Sequence, residues 1–236
     1  MDMENFIFGS FQYEYELFKQ KRKTLSLTIR PDLKIILKCP IDASAERVEI
    51  FLRRKWFWLE KQLSFFKKYQ RKTYKKEYVS GESFLYLGRQ YRLLVKKSEE
   101  NRVALTRGKI IIYSQNNVYD GGYNKKLLDG WYHVKMENIF TERISAVAVN
   151  FGYKQQSALI IKKMDKRWGS FLKSNKIILN PKLICASKDC IDYVVTHELC
   201  HSKYKNHDKK FFDLLEKKYP NWQKTKEKLE MMGCLI

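Results

Sequence analysis

The chain has 236 residues, 44% of them hydrophobic and 14% aromatic, which is ample for a folded core and too apolar for a disordered chain. Lysine and arginine (47) outnumber aspartate and glutamate (26), and the formal charge of +21 favours anionic partners and repels basic ones. No apolar run approaches the roughly 18 to 20 residues of a membrane span, and Met1 to Phe11 lacks the basic and apolar regions of a secretory signal. A soluble cytoplasmic protein with no membrane partner is the expectation.

Five cysteines (Cys39, Cys185, Cys190, Cys200, Cys234) make an odd count with no C-x-x-C pair, so they read as reduced, small, packed side chains. The densest basic run, Lys67 to Lys76 ("KKYQRKTYKK"), interleaves six cations with two tyrosines. It reads as a lysine-rich helix end and linker, or as a track for a phosphate backbone.

In chain order, Lys23 to Pro40 alternates apolar and polar residues on both sides of Pro31-Asp32 and predicts a β-hairpin. A helix follows from about Ala45 to Tyr69, capped by Asp42 or Ser44. Val48, Leu52, Trp56, Leu59, Leu63 and Phe66 recur at three- and four-residue steps and form its buried stripe, opposite Arg47, Arg54, Lys61 and Lys68. "SFLYLGRQYRLLVKK", "RVALT" and "KIIIY" predict short strands with turns at Gly88-Arg89, Glu99 to Asn101 and Arg107-Gly108. The polar stretch after Tyr113 suggests a boundary between an N-terminal region, 1–117, and a C-terminal region, 118–236. A helix from about Lys125 to Phe151 comes next, then two strands, "SALIIKKM" and "KIILN", separated by "DKRWGSFLKSN". Ser187 and Asp189 open a further helix, Asp208 begins another, and Pro220 opens the last, which fades at Gly233.

The penultimate stretch carries the chemistry. Three of the four histidines, His197, His201 and His207, fall within eleven positions. Residues four apart share a helix face, so His197 and His201 can offer two imidazoles to one metal ion. Glu198 projects beside that pair and can reach water at the metal without taking a coordination site. This is the H-E-x-x-H arrangement of zinc hydrolases: two ligands and a general base from five residues. A third ligand is needed, and a continued helix would carry His207 about 240° around, away from the metal. The chain must therefore turn within "SKYKNH", with Asn206 as the residue that tolerates a left-handed backbone. Cys200 points away from the pair and reads as packed inward. His133, mid-helix, reads as a packed or surface residue.

These residues resemble the YgjP-like metallopeptidase family of predicted metal-dependent hydrolases, relatives of the SprT-like and minimal zincin folds. The similarity begins at "KRKTLSLTIRPD", continues through "GRQYRLLV" and is densest from "RWGSF" through "LNPKLICASKDCIDYVVTHELCHSKYKNHDKKFFDLLEKKYP". It implies zinc held by His197, His201 and His207, with Glu198 as the base. Phe171 stands where members often carry cysteine and Cys200 where they often carry alanine; neither is an implied ligand. The spacing of the third histidine also matches the metzincins, but Tyr204 replaces their midway glycine. In "DKRWGSF", Gly169 reads as a tight-turn residue, Trp168 as packing on the histidine-bearing helix, and Arg167 as an anion or carbonyl clamp facing the cleft. One of the strands flanking this turn is the expected edge for an extended peptide.

The resulting expectation is an α+β protein: a basic N-terminal half of hairpin, helix and strands, then a zincin-like C-terminal half with the H-E-x-x-H helix. The expected reaction is zinc-dependent hydrolysis of a peptide bond, with other divalent transition metals able to occupy the site in vitro. Two alternatives remain open at this point. One is a phosphohydrolase or nucleotide pyrophosphatase acting on an anionic small molecule; the other is a protein-processing module that binds nucleic acid through the basic N-terminal half.

Overall fold

The computed structural model describes residues 2–30, 32–69, 76–153, 157–165 and 167–233. It is a mixed α+β chain of eleven strands and five α-helices among those residues. Contacts divide it into two compact units, Met1–Thr73 and Tyr74–Met232, a division that falls ahead of the polar stretch near residue 117.

The first unit is one four-stranded sheet and one helix. Strands β1 (Asp2–Phe8) and β2 (Phe11–Gln20) form a hairpin, as do β3 (Ser26–Ile29) and β4 (Ile35–Pro40). The sheet order is β1-β2-β4-β3, with β2 and β4 parallel at the centre. The second hairpin follows the alternation read from the sequence; the first has no counterpart in that reading, because its aromatic-rich strands alternate only weakly. Helix α1 (Ala45–Tyr69) begins where Ser44 Oγ accepts the Arg47 N–H at 3.3 Å. Val48, Leu52, Leu59 and Leu63 are buried against Phe6, Tyr13, Leu37 and Cys39, and Trp56 and Phe66 pack on the same cluster. Trp56 Nε1 donates to the Tyr13 hydroxyl at 2.9 Å, which in turn donates to Glu60 at 2.7 Å.

The second unit repeats that strand plan before adding the elements that carry the histidines. Strands β5 (Ser83–Tyr86), β6 (Arg89–Lys97), β7 (Arg102–Thr106) and β8 (Lys109–Ser114) take the order β5-β6-β8-β7, again with a parallel central pair. The Arg107-Gly108 turn has positive φ at both residues, the twist that suits a two-residue hairpin. The first turn is centred on Leu87-Gly88, one residue before the position read from the sequence. Its tip is docked: the Leu87 and Gly88 N–H groups donate to the Ile184 and Cys185 carbonyls, each at 2.9 Å. A β-carbon on Gly88 would lie 2.8 Å from Ser187 Cβ, so glycine lets the hairpin close on the segment that leads into the histidine helix.

Helix α2 (Gly121–Phe151) starts a turn earlier than its apolar period suggests, because Asp120 caps it by accepting the Tyr123 N–H at 2.9 Å. Gly152, at φ 71°, ends it. Leu128 joins the sheet core, while Phe140, Ile144 and Val147 join a second core with Ile177, Leu179, Ile191, Val195 and Leu199. Three short strands follow: β9 (Ala158–Ile161), β10 (Gly169–Leu172) and β11 (Lys176–Leu179), in the order β10-β11-β9. Strand β10 lies inside the segment read as a connection, so the sequence reading is one strand short here. It is only four residues long, and glycine and serine make up half of it. Helices α3 (Lys188–Cys200), α4 (Lys209–Lys218) and α5 (Trp222–Gly233) complete the unit.

Candidate metal centre

Helix α3 is buried on nearly all sides, with Ile191, Val195, Leu199 and Cys200 at no exposure. Arg143 of α2 grips it through a two-pronged pair with Asp192, Nε and Nη2 each at 2.6 Å from a carboxylate oxygen. The His197 and His201 rings project from adjacent turns with centroids 5.1 Å apart. His201 caps the helix, and its Nδ1 lies 2.9 Å from the Tyr204 carbonyl. A proton on Nδ1 satisfies that contact and leaves Nε2 free as a lone-pair donor.

The chain then turns back, as the position of His207 requires, but not through Asn206, which has no positive φ. Instead the helix tightens: the N–H groups of His201, Ser202 and Lys203 donate three residues back, at 3.1 Å each, and the Tyr204 N–H donates to Cys200 at 3.0 Å. Unwinding through such short-range bonds spares any left-handed residue. Asp208 caps α4 by accepting the Phe211 N–H at 3.0 Å. That cap seats two side chains at once. His207 Nε2 comes to 3.0 Å from His197 Nε2, and the fully buried Phe211 ring lies 4.9, 4.7 and 4.6 Å from the centroids of His197, His201 and His207. One nitrogen from each imidazole falls within 4.8 Å of the others. Phe211 is a floor under all three rings. Sequence reading missed it, although an aromatic four residues beyond His207, on a capped helix, was the available signal.

Glu198 is buried, at 7% exposure, on the same helix turn. Burial pushes its carboxyl up to about 7, against two opposing influences: the Phe171 backbone N–H that donates to it and the nearby Arg167 charge. Its neighbour is Gly169, the first residue of β10. A β-carbon there would lie 2.8 Å from Glu198 Cγ and 2.9 Å from Val194 Cγ1. Gly169 is therefore needed for close approach; the tight-turn role read from the sequence is not the reason, since its φ is not positive. Trp168 is partly buried against the core that includes α3. Arg167 is exposed. The loop bearing it is stapled by Asn180, whose side-chain N–H groups donate to the Met164 and Arg167 carbonyls at 2.6 and 2.9 Å.

Burial, then the other two histidines and Lys226, holds the His197 imidazole down to about 3; burial, then His201 and Lys226, lower His207. Both rings are thus neutral at pH 7, the form that ligates metals. His197 Nδ1 is buried without a hydrogen-bond partner. Two facing ring nitrogens at 3.0 Å, with a third imidazole beside them, suit a shared cation, and the all-nitrogen donor set suits a transition metal.

The other residues singled out by sequence lie elsewhere. Cys200 is buried, and burial raises its thiol to about 12, as expected for a packed side chain. Cys39 and Cys190 are also buried and Cys185 is half-buried, all four as free thiols; Cys234 lies outside the described residues. His133 is on the surface of α2, 3.4 Å from Glu137. Most of the basic run falls outside the described residues. Lys67 and Lys68 close α1, and Lys76 donates to the Ser83 carbonyl at 3.1 Å while its ammonium lies 5.2 Å from the Phe84 ring centroid. No helix among the described residues is long and apolar enough to cross a membrane.

Three converging imidazoles, one from α3, one from its cap and one from the turn beyond, next to a buried carboxylate of α3, suit a metal-dependent hydrolase. Residues 23–232 match the YgjP-like, metallopeptidase domain family, and the chain belongs to that family. Among solved structures, it is similar to the crystal structure of the metallopeptidase zymogen abylysin of Pyrococcus abyssi, with 21% identity, a TM-score of 0.35, and coverage of 39% of this chain and 89% of that one. It is likewise similar to that of the zymogen jannalysin of Methanocaldococcus jannaschii, with 23% identity, a TM-score of 0.35, and coverage of 41% and 97%. A search of curated proteins found no match.

Proposed function

We propose that this protein is a zinc-dependent peptidase in which His197, His201 and His207 hold the metal and Glu198 moves the proton. The observation that carries this is the convergence of the three imidazoles within 4.8 Å, one residue from a buried carboxylate. Family membership makes a peptide the substrate of choice over a phosphate ester. Positive charge does not favour nucleic acid at one end of the molecule, because residues 118–236 are also strongly basic.

Zinc in this setting supplies a Lewis acid that polarises a carbonyl and lowers the pKa of water. The chain's own groups do the rest. Glu198 accepts the proton of the attacking water on its carboxylate and passes it to the leaving amine. The Phe171 N–H and the missing side chain at Gly169 hold that carboxylate in place. Strand β10 is an edge of its sheet, so an extended peptide can pair along it and run past Glu198. Arg167, whose charge reaches Glu198, is the proposed clamp for a substrate carbonyl or carboxylate.

The test is digestion of an unfolded protein, such as reduced casein, by purified enzyme of measured zinc content. Cleavage that a chelator abolishes and zinc restores is the expected result. Absence of cleavage of unfolded protein and peptide libraries by protein carrying one zinc per chain would overturn the peptidase reading.

A further inference from the structure

Seven residues of α-helix make nearly two full turns and advance about 10.5 Å, so side chains seven apart lie on one line. On the face of α1 turned away from its sheet, Arg47, Arg54 and Lys61 form such a line. Ile50 and Phe57 lie along one flank of it and Trp58 along the other. This is the reverse of an ordinary solvated face. Phe57 is 76% exposed, Ile50 51% and Trp58 39%. Two of the helix's three carboxylates are engaged elsewhere, Glu49 with Arg53 at 2.8 Å and Glu60 with Tyr13 at 2.7 Å, and the third, Glu46, sits in the first turn beside Arg47. Among the described residues, Arg47, Arg54 and Lys61 have no acidic partner. At the start of the face, Leu25, Ile50 and Phe51 line a cleft of about 490 Å³ bordered by Ser44, Glu46, Arg47 and Arg54.

We infer that this face of α1 binds an acidic amphipathic helix of a partner protein, one that repeats a carboxylate every seven residues between apolar side chains. Cations set among exposed apolar side chains select the occupant. A partner helix lying alongside α1 presents its side chains on the same seven-residue period, so carboxylates meet Arg47, Arg54 and Lys61 in turn while apolar groups cover Phe57 and Trp58. A nucleic-acid strand, with a charge about every 3.4 Å, brings every third phosphate to nearly the same step of about 10.5 Å, so the oligonucleotide in the experiment below carries that alternative. A second copy of this chain would set like charges against each other. The apolar rows exclude a purely electrostatic contact, since exposed Phe57 and Trp58 gain only when covered.

The experiment uses the full chain and does not depend on catalysis. A labelled synthetic helix of three heptads, with glutamate at the central position and leucine on both flanks, is titrated by fluorescence anisotropy. A lysine-for-glutamate version, a single-stranded oligonucleotide and vesicles containing phosphatidylserine are run in parallel. The glutamate peptide binds and protects α1 amides from hydrogen exchange, and the lysine peptide does not. R47E/R54E/K61E weakens the glutamate peptide by roughly tenfold or more and gains the lysine peptide. Phe57→Ser, with the cations intact, also weakens binding. These are exposed positions, and circular dichroism verifies the fold of each variant; if the triple variant is misfolded, R54E/K61E takes its place. Failure of the glutamate peptide to bind, or binding indifferent to charge reversal, overturns the inference. So does tighter binding of the oligonucleotide or the vesicles that the same variants abolish, which would reassign the face to a polyanion or a lipid surface.

Discussion

Gly169 and Glu198 touch so closely that any side chain on the first would displace the second: a β-carbon at 169 would sit 3.0 Å from Glu198 Oε1 as well as 2.8 Å from Cγ. Both neighbours belong to α3, whose core packing leaves it little room to retreat. Gly169→Ala is therefore expected to destabilise by about 1–3 kcal/mol, the usual cost of overpacking a tight interior. Its larger effect falls on turnover, because the carboxylate that must give is the proposed proton acceptor. Zinc content stays near wild type. Thermal melting, metal analysis and kcat measured on one preparation decide this, and wild-type kcat would show that Glu198 needs no such restraint.

The three histidines make a direct prediction about metal. His197→Ala and His201→Ala each remove one of three converging nitrogens. The loss of zinc affinity should exceed the roughly 10- to 100-fold that follows from disturbing a ligand's support alone. His207→Ala should behave likewise, which is the sharper test because the chain has to turn to bring His207 in. Metal content after dialysis checks all three, and a variant that keeps one full equivalent removes that residue from the ligand set.

Phe211 should matter to metal without touching it. The ring supports all three imidazoles. Phe211→Ala is expected to cost about 3–5 kcal/mol through the cavity it leaves. Phe211→Leu keeps most of the volume and is the informative variant: the protein folds, and zinc affinity falls by about 10- to 100-fold as the rings lose their common support. Competition with a chromophoric chelator measures it. Unchanged affinity in a folded Phe211→Leu protein would make the ring mere packing.

Glu198→Gln separates proton transfer from metal binding. The variant keeps its zinc and loses roughly a hundred- to ten-thousand-fold in turnover, the range of general-base contributions. Arg167→Ala keeps zinc too and loses less. If zinc disappears together with activity in Glu198→Gln, the carboxylate is a ligand or a structural support instead.

The metal-free protein should also show a pH signature of that carboxylate. Its folded value of about 7 lies above the ordinary 4.5 because burial penalises the charge. A raised acid favours the folded state at low pH, and this contribution is lost as pH climbs from about 4.5 to about 7. Wild type should therefore lose on the order of 3 kcal/mol relative to Glu198→Gln across that window. His197, lowered by burial, acts in the opposite direction in both proteins and cancels in the difference. Parallel denaturant titrations on the two metal-free proteins at pH 5 and pH 8 measure it, and a constant difference would contradict the burial of Glu198.

Several features were legible in the residues alone because they depend on short-range periods. The span of α1, Ala45–Tyr69, follows from its three-and-four apolar spacing and the Ser44 cap. His197 and His201 share a face because they are four apart on a helix, and His207 could join them only if the helix ended first. Family membership was readable from the same stretch. Other features depend on contacts between segments distant in sequence. Gly169 looked like a turn residue until β10 was laid against α3, since a missing β-carbon has meaning only beside the atoms it would strike. Phe211 drew no reading of its own from the sequence, and its role appears only where the turn after His201 folds three rings around it. The route of that turn was decided by the hydrogen bonds of a tightening helix end, so the left-handed asparagine that local propensity favoured was not used. Periodicity within a segment is a local property, and a chain reveals it unaided; the approach of two surfaces is set by the packing of the whole unit, and only the tertiary structure decides it.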